Sequence, residues 1–170
     1  MKAEIETKRL TLRCLGVDID NLDSYLSWMR NIKLTPFISG VRADFTRGDL
    51  ISYVLEKNNS SNVLLLGIFT KDSPARHIGN IKLEPLIIGQ EGCIGILIGE
   101  EEMRGKSIGF EAIKALIQFS SSVYGLSNMY LGVDPKNLAA VQLYKKLGFT
   151  ENFQGSRIQN GLEMNYQIPV

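Results

Sequence analysis

Apolar residues along this chain switch between two periods, and the switches mark its elements. Leu10, Leu12 and Cys14 alternate with Thr11 and Arg13, which predicts a half-buried strand over 10–15. The period then lengthens: Leu22, Tyr25, Leu26 and Met29 fall on one helical face, with Asp18 and Asp20 as candidate N-caps. After a loop through Thr35-Pro36-Phe37-Ile38-Ser39-Gly40, Thr46 and Asp49 have the spacing of a capping box. They open a second helix that buries Leu50, Tyr53 and Val54. From residue 62 the runs become β-rich. Segments 62–70 and 76–83, separated by the turn residues 71–75, predict an antiparallel meander that 91–99 continues.

Helical spacing returns at Ile108, Ala112, Ala115, Leu116 and Phe119. A short strand over 129–133 follows, broken by Asp134-Pro135-Lys136. Asn137 then caps a helix whose inner face is Ala140, Leu143, Tyr144 and Leu147, with Gly148 at its C-terminal cap. Strands over 149–153 and 162–168 close the chain, joined through Gly155 to Gly161. The order is strand, two helices, three strands, helix, strand, helix, two strands. The meander is antiparallel while the later helices act as crossovers, so the fold class is α+β: a mixed sheet with helices on both faces. No linker or repeat interrupts it, and 1–170 reads as a single domain.

Composition removes several function classes. The 19 basic and 18 acidic residues leave a net charge of +1, so no global field draws in nucleic acid or an anionic membrane. Cys14 and Cys93 lie far apart within apolar runs and read as reduced, structural thiols. His77 has no ligand-type neighbour at metal spacing, so no metal is expected. Residues 1–9 are charged without an apolar core, and the apolar run at 63–69 is too short to span a bilayer. A cytoplasmic protein is expected.

The segment Met103-Arg104-Gly105-Lys106-Ser107-Ile108-Gly109 carries the chemistry. A strand that breaks into a basic, glycine-bearing turn and then opens a helix gathers free backbone N–H groups, a cradle for phosphate. By spacing alone, a plain solvated turn explains the glycines equally well, and neither a Walker loop nor a dinucleotide fingerprint is present. A second segment decides the matter. Arg104-x-x-Ser107-x-Gly109 resembles the acyl-CoA signature of the GNAT N-acetyltransferase superfamily, with serine where glycine is usual. Asn137, Ala140, Leu143-Tyr144 and Gly148-Phe149 resemble the family's later helix. Residues 5–13, Ile-Glu-Thr-Lys-Arg-Leu-Thr-Leu-Arg, look like the opening strand of its RimJ/RimL-like branch.

The resemblance implies a mostly antiparallel seven-stranded sheet, splayed between the family's fourth and fifth strands, with acetyl-CoA in the splay. It implies that Ile98 and Gly99 pair with the pantetheine arm. The pyrophosphate would sit on Met103, Arg104, Gly105, Lys106, Ser107, Ile108 and Gly109, and Asn137 would touch the pantetheine. Tyr144 becomes the expected acid for the departing thiolate, though without the motif it reads as a core tyrosine. Glu91, thirteen residues before Arg104, matches the base glutamate of the histone-acetyltransferase branch, while Gly132 stands where the ribosomal-alanine branch carries glutamate. Glu84, at the end of the third strand, reads first as an exposed charge, the alternative being a place facing the substrate mouth.

The implied activity is direct acetyl transfer, in a ternary complex, to a primary amine: a protein N-terminus, an amino-sugar nucleotide or another small amine. A non-catalytic acyl-CoA-binding module on the same fold is the alternative. Acceptor groups are expected from 30–47, where Phe37, Arg42 and Phe45 offer stacking or pairing, and from the last hairpin. A homodimer is plausible through C-terminal edge strands.

Overall fold

A computed structural model describes residues 3–17, 19–32, 37–38, 42–153, 156–158 and 161–169; the side chains of 19–21 are also left aside. The candidate caps Asp18 and Asp20, most of the loop at 35–40, and Gly155 fall outside this set. Strands are β1 (Glu4–Glu6), β2 (Leu10–Cys14), β3 (Leu64–Thr70), β4 (His77–Ile87), β5 (Glu91–Ile98), β6 (Asn128–Val133), β7 (Thr150–Asn152) and β8 (Leu162–Gln167). Helices are α1 (Ile19–Arg30), α2 (Arg47–Asn59), α3 (Ile108–Tyr124) and α4 (Leu138–Leu147). Among the described residues the sheet has 8 strands in the order β1-β2-β3-β4-β5-β6-β8-β7. It is antiparallel except between β5 and β6.

The expected seven strands are thus joined by an eighth, β1, paired with β2 from Glu4–Arg13 to Glu6–Thr11. Three residues with a single buried side chain, Ile5, are too short a run to register as alternation. Strand β4 continues four residues past the expected Leu83, to Ile87, and pairs there with the start of β5.

Helices cover both faces because each presents one apolar stripe. Against α1 and α2, the sheet turns Leu65 and Phe69; the helices answer with Leu22, Tyr25, Leu26, Trp28, Leu50 and Val54. On the opposite face, Leu66, Ile68, Ile81 and Ile94 meet Ile108, Ala112, Leu116 and Tyr144 from α3 and α4. The α2 capping box forms: Asp49 N donates to Thr46 Oγ1 at 3.0 Å, and Thr46 N to Asp49 Oδ2 at 2.9 Å. Asn137 Oδ1 caps α4 by accepting from Ala140 N, and Gly148 closes it in the left-handed conformation.

His77, with the polar residues Arg76 and Asn80 near it in sequence, is buried. It stacks on Phe69 with ring centroids 4.8 Å apart and packs against Trp28 and Tyr25. Residues adjacent in sequence do not report what a helix lays over the strand.

Two polar anchors hold the ends of the sheet. At the amino end, Glu111 of α3 accepts from Thr7 Oγ1 (2.7 Å), Arg9 N (2.9 Å) and Arg9 Nε (2.7 Å), while Arg9 Nη1 donates to Lys106 O at 3.0 Å. At the carboxyl end, the buried Glu163 accepts from Arg157 Nη2 (2.8 Å), Arg157 N (2.6 Å) and Asn152 Nδ2 (3.0 Å), and Arg157 lies over the Tyr130 ring. Burial raises the Glu163 pKa, but these donors outweigh it and hold it at about 2. A carboxylate depressed from 4.5 contributes stability that is fully present above about pH 5 and is lost as pH falls toward 2. Glu163→Gln is expected to cost about 3 kcal/mol at pH 7 and to flatten the stability loss across that acid window, measured by denaturant unfolding at stepped pH.

Candidate active site

The parallel pairing of β5 with β6 stops almost as soon as it starts. Glu91, Gly92 and Cys93 pair with Asn128, Met129 and Tyr130, and then each strand follows its other neighbour: β5 stays paired with β4 as far as Ile98, and β6 with β8 as far as Val133. The two part, and a cleft of about 550 Å³ opens between them. Ile94 to Ile98 form one wall; Gly132, Val133, Asp134, Asn137, Ala140, Leu143 and Tyr144 form the other. The cleft continues toward α1 and α2, past Tyr25, Phe37, Tyr53, Lys57, Asn80, Lys82 and Glu84.

Main-chain direction on β5 follows from one bond. Gly99 N donates to Ile78 O at 3.0 Å, toward β4; with the two-residue period, the polar groups of Ile98 and Ile96 face the other way, into the splay. Arg104 Nε donates to Ile98 O from that side at 2.9 Å. Gly99 itself is needed for packing, because a Cβ there would lie 2.0 Å from Trp28 Cδ2.

Beyond Ile98 the chain makes one short helical turn at Glu101–Met103, with Met103 half-buried against the core, and then stays exposed through Ser107. Gly105 and Ser107 both adopt left-handed conformations, φ +71° and +61°. Alternating handedness turns successive amides to one side, and the amides of residues 105–110 have no protein acceptor among the described residues. They include the first N–H groups of α3, a 17-residue helix whose positive end adds to the attraction for an anion. Lys106 adds charge. Gly109 answers a packing need: a Cβ would stand 3.2 Å from Leu143 Cδ2 of α4.

Tyr144 is buried on the inner face of α4 and lines the cleft. Its hydroxyl has no hydrogen-bond partner among the described residues, and burial alone pushes its pKa up to about 12. Asn137 lines the same wall, with Oδ1 spent on the cap. Glu91 is not brought to this group. It stands at the opposite end of β5, outside the cleft lining, where Arg157 Nη1 donates to it at 2.6 Å.

The polar cluster at the α1/α2 end follows from alternation along β4. Asn80, Lys82 and Glu84 share one face, with apolar Ile81 and Leu83 on the other. Lys57 of α2 and Lys82 each donate to a different oxygen of Glu84, both at 2.6 Å. Burial works against the Glu84 charge, but the two ammonium groups outweigh it and hold its carboxyl below the usual range; the same contact pushes Lys57 up to about 12. Glu84 is therefore a partnered, largely covered carboxylate. Tyr53 interacts with Lys82, and Tyr25 with Tyr53. Sequence reading missed this cluster; its signal is a polar stripe of period two on a strand with helices over both faces. In the loop before α2, Phe37 lines the cleft, whereas Phe45 is buried under Arg42, which pairs with Asp44 and Asp49.

The open strand edge, the unpaired amides and the apolar slot between them suit a long molecule with an anionic head and an amide-bearing arm. The model for the acetyltransferase (GNAT) domain matches residues 9–150. The chain belongs to the GNAT acetyltransferase family. It is similar to a spermine/spermidine N(1)-acetyltransferase of Bacillus subtilis, 33% identical over 63 residues, which cover 35% of this chain and 41% of the relative. The chain thus spans less than half the length of the curated relatives it matches. Among solved structures it superposes on a spermidine N-acetyltransferase from Vibrio cholerae in complex with CoA and spermine, with TM-score 0.77 and 20% identity over 95% of this chain and 96% of that one. It also superposes on RimL, a ribosomal L7/L12 alpha-N-protein acetyltransferase in complex with coenzyme A, with TM-score 0.81 and 13% identity over 98% of both chains. The residues fit an acyl-CoA: the amides at 105–110, without a protein acceptor among the described residues, suit phosphates and the free β5 edge suits an amide chain. Among the described residues of the acetyltransferase, no group of three or more His, Cys, Asp or Glu is placed to hold a metal ion, and no helix is long and apolar enough to cross a membrane.

The φ of +61° at Ser107 explains why glycine is usual there: a side chain strains the left-handed conformation, and glycine does not. Ser107→Gly is expected to stabilise the fold by up to about 1 kcal/mol, a rise of roughly 2–4 °C in melting temperature, with acetyl-CoA affinity unchanged or tighter. A large loss of affinity by calorimetry would show that the serine hydroxyl, not the backbone, holds the phosphate.

Proposed function

We propose that the acetyltransferase moves the acetyl group of acetyl-CoA directly to a primary amine within a ternary complex, with Tyr144 as the general acid. The observation that carries this reading is the Tyr144 hydroxyl: on the cleft wall, without a hydrogen-bond partner among the described residues, its pKa pushed up to about 12 by burial. Acetyl-CoA supplies an activated thioester and a thiol leaving group. The amides of Gly105 through Gly109 bind its pyrophosphate, Arg104 N being spent on Glu101 O, and the polar edge of β5 at Ile98 and Ile96 lines up the pantetheine arm. Gly99, whose N–H already serves Ile78, supports this edge by letting Trp28 pack beneath it. Asn137 contributes its Nδ2 from the facing wall. The apolar slot between Ile96 and Leu143 excludes water from the thioester.

The phenol of Tyr144 gives its proton to the sulfur as the C–S bond breaks, and recovers one from solvent or from the acetylated ammonium. Among the described residues both cleft-lining carboxylates are engaged: the oxygens of Glu84 carry ammonium groups, Asp134 Oδ1 accepts from Lys136 N on the β6 side, and Glu91 lies outside the cleft. Deprotonation of the amine falls to water, so the acceptor reacts from its neutral fraction. Cys14 and Cys93 form no disulfide among the described residues, which favours a reducing, cytoplasmic setting.

Two results follow. Tyr144→Phe is expected to lower kcat by about 10²-fold or more with little change in the acetyl-CoA KM, read as amine-dependent release of CoA thiol. Full activity in that variant would remove the acid role, and tight acetyl-CoA binding with no turnover on any amine would make the chain a binding module. Without a side-chain base, kcat/KM is expected to rise with pH along the acceptor's own amine pKa. With Tyr144 protonated up to about 12, no descending limb is expected below about pH 11.

A further inference from the structure

The acceptor end of the cleft contains a buried donor, the Asn80 amide, that no group among the described residues satisfies. Asn80 is 5% exposed and lines the cleft. With its proton on Nε2, His77 donates to Asn80 Oδ1 at 2.9 Å, which commits one end of the amide. The other end, Nδ2, has no acceptor. Phe69 and Trp28 hold the His77 ring in place, and in the tautomer protonated on Nε2 the free end of the amide is Nδ2. A buried N–H₂ left without a partner is costly, and native proteins retain one where a ligand completes it.

The surroundings select the ligand. Two residues along the same face comes Lys82, then Glu84, and Lys57 reaches in from α2, where it also pairs with Glu56, so both oxygens of Glu84 are taken by ammonium groups. Asp134, the other cleft-lining carboxylate, lies on the β6 side and accepts from Lys136 N at 2.8 Å. A polyamine needs unspent carboxylates along its length; the oxygens of Glu84 at this end of the cleft are already taken, and Asn80 offers a donor instead.

We infer that the amine acceptor carries an oxygen, as carboxylate, carbonyl or hydroxyl, which accepts a hydrogen bond from Asn80 Nδ2 beside Lys82, and that a bare polyamine is not the acceptor. Asn80 is thus a specificity-determining residue. The inference rests on the acetyltransferase reading and narrows its acceptor class.

The test is acetyl transfer from acetyl-CoA to a dipeptide, glucosamine 6-phosphate, UDP-glucosamine and spermidine. At least one oxygen-bearing amine is expected to exceed spermidine in kcat/KM by about tenfold or more. Asn80→Leu is expected to raise the KM for that amine about tenfold, with the acetyl-CoA KM unchanged and the melting temperature monitored as a check on folding. Asn80→Asp, which keeps the shape but replaces the donor with a carboxylate, is expected to weaken the oxygen-bearing amine and improve spermidine. Spermidine as the best substrate of the unaltered enzyme overturns the inference alone. So do acceptor KM values within twofold of the unaltered enzyme in both variants. No transfer to any amine, with acetyl-CoA bound, overturns the acetyltransferase reading and this inference with it.

Discussion

The parting of β5 from β6 after Cys93 and Tyr130 is the constraint on which the rest of the molecule depends. A strand interior is normally paired on both sides, and an open edge there leaves polar main chain with no partner. Here the opening is sustained because each strand is fully paired on its far side, β5 with β4 and β6 with β8. Neither can close the gap without breaking its other ladder. The cleft is therefore a property of the sheet and not of a loop, and it exists before any ligand arrives. Preorganisation of this kind spares the enzyme the cost of ordering its site on binding.

What surrounds the gap keeps it aligned. Thr7 and Arg9, at the entrance to β2, anchor Glu111 and the carbonyl of Lys106, so the start of α3 and the turn of unpaired amides are tied to the amino-terminal strands. Trp28 lies against Gly99 at the end of β5 and donates to Glu100 Oε1 at 3.2 Å, which ties the same turn to α1. Gly109 lets α4 approach closely enough to set Tyr144 opposite the β5 edge. The turn is thus held from both faces of the sheet, by Arg9 on one side and Trp28 on the other.

Much of this was legible from residue patterns because it is local. The capping box at Thr46 and Asp49, the Asn137 cap and the Gly148 stop are each settled within five residues, and periodicity reports the face that a helix buries. Other features depend on what lies across space. The burial of His77 requires Phe69 and Trp28, from two other elements, and β1 is too short to have a pattern of its own. Gly99 and Gly109 were read toward the ligand, yet each has a protein neighbour at the Cβ position. Spacing from Arg104 singled out Glu91, but distance along a strand cannot tell which end of it meets the cleft.

The cluster on β4 sharpens that lesson. A strand in the middle of a sheet with helices over both faces is expected to be apolar on both sides, and Asn80, Lys82 and Glu84 break the expectation three times on one face. Such a stripe survives only if the groups satisfy one another or serve a ligand. Glu84 with its two lysines is the first case, a set closed by its own contacts. Asn80 is the second, since its amide is held at one end and open at the other. The departure from the apolar pattern therefore separates into a part that builds the wall and a part that reads the acceptor, and only the second has to differ between relatives that share the donor.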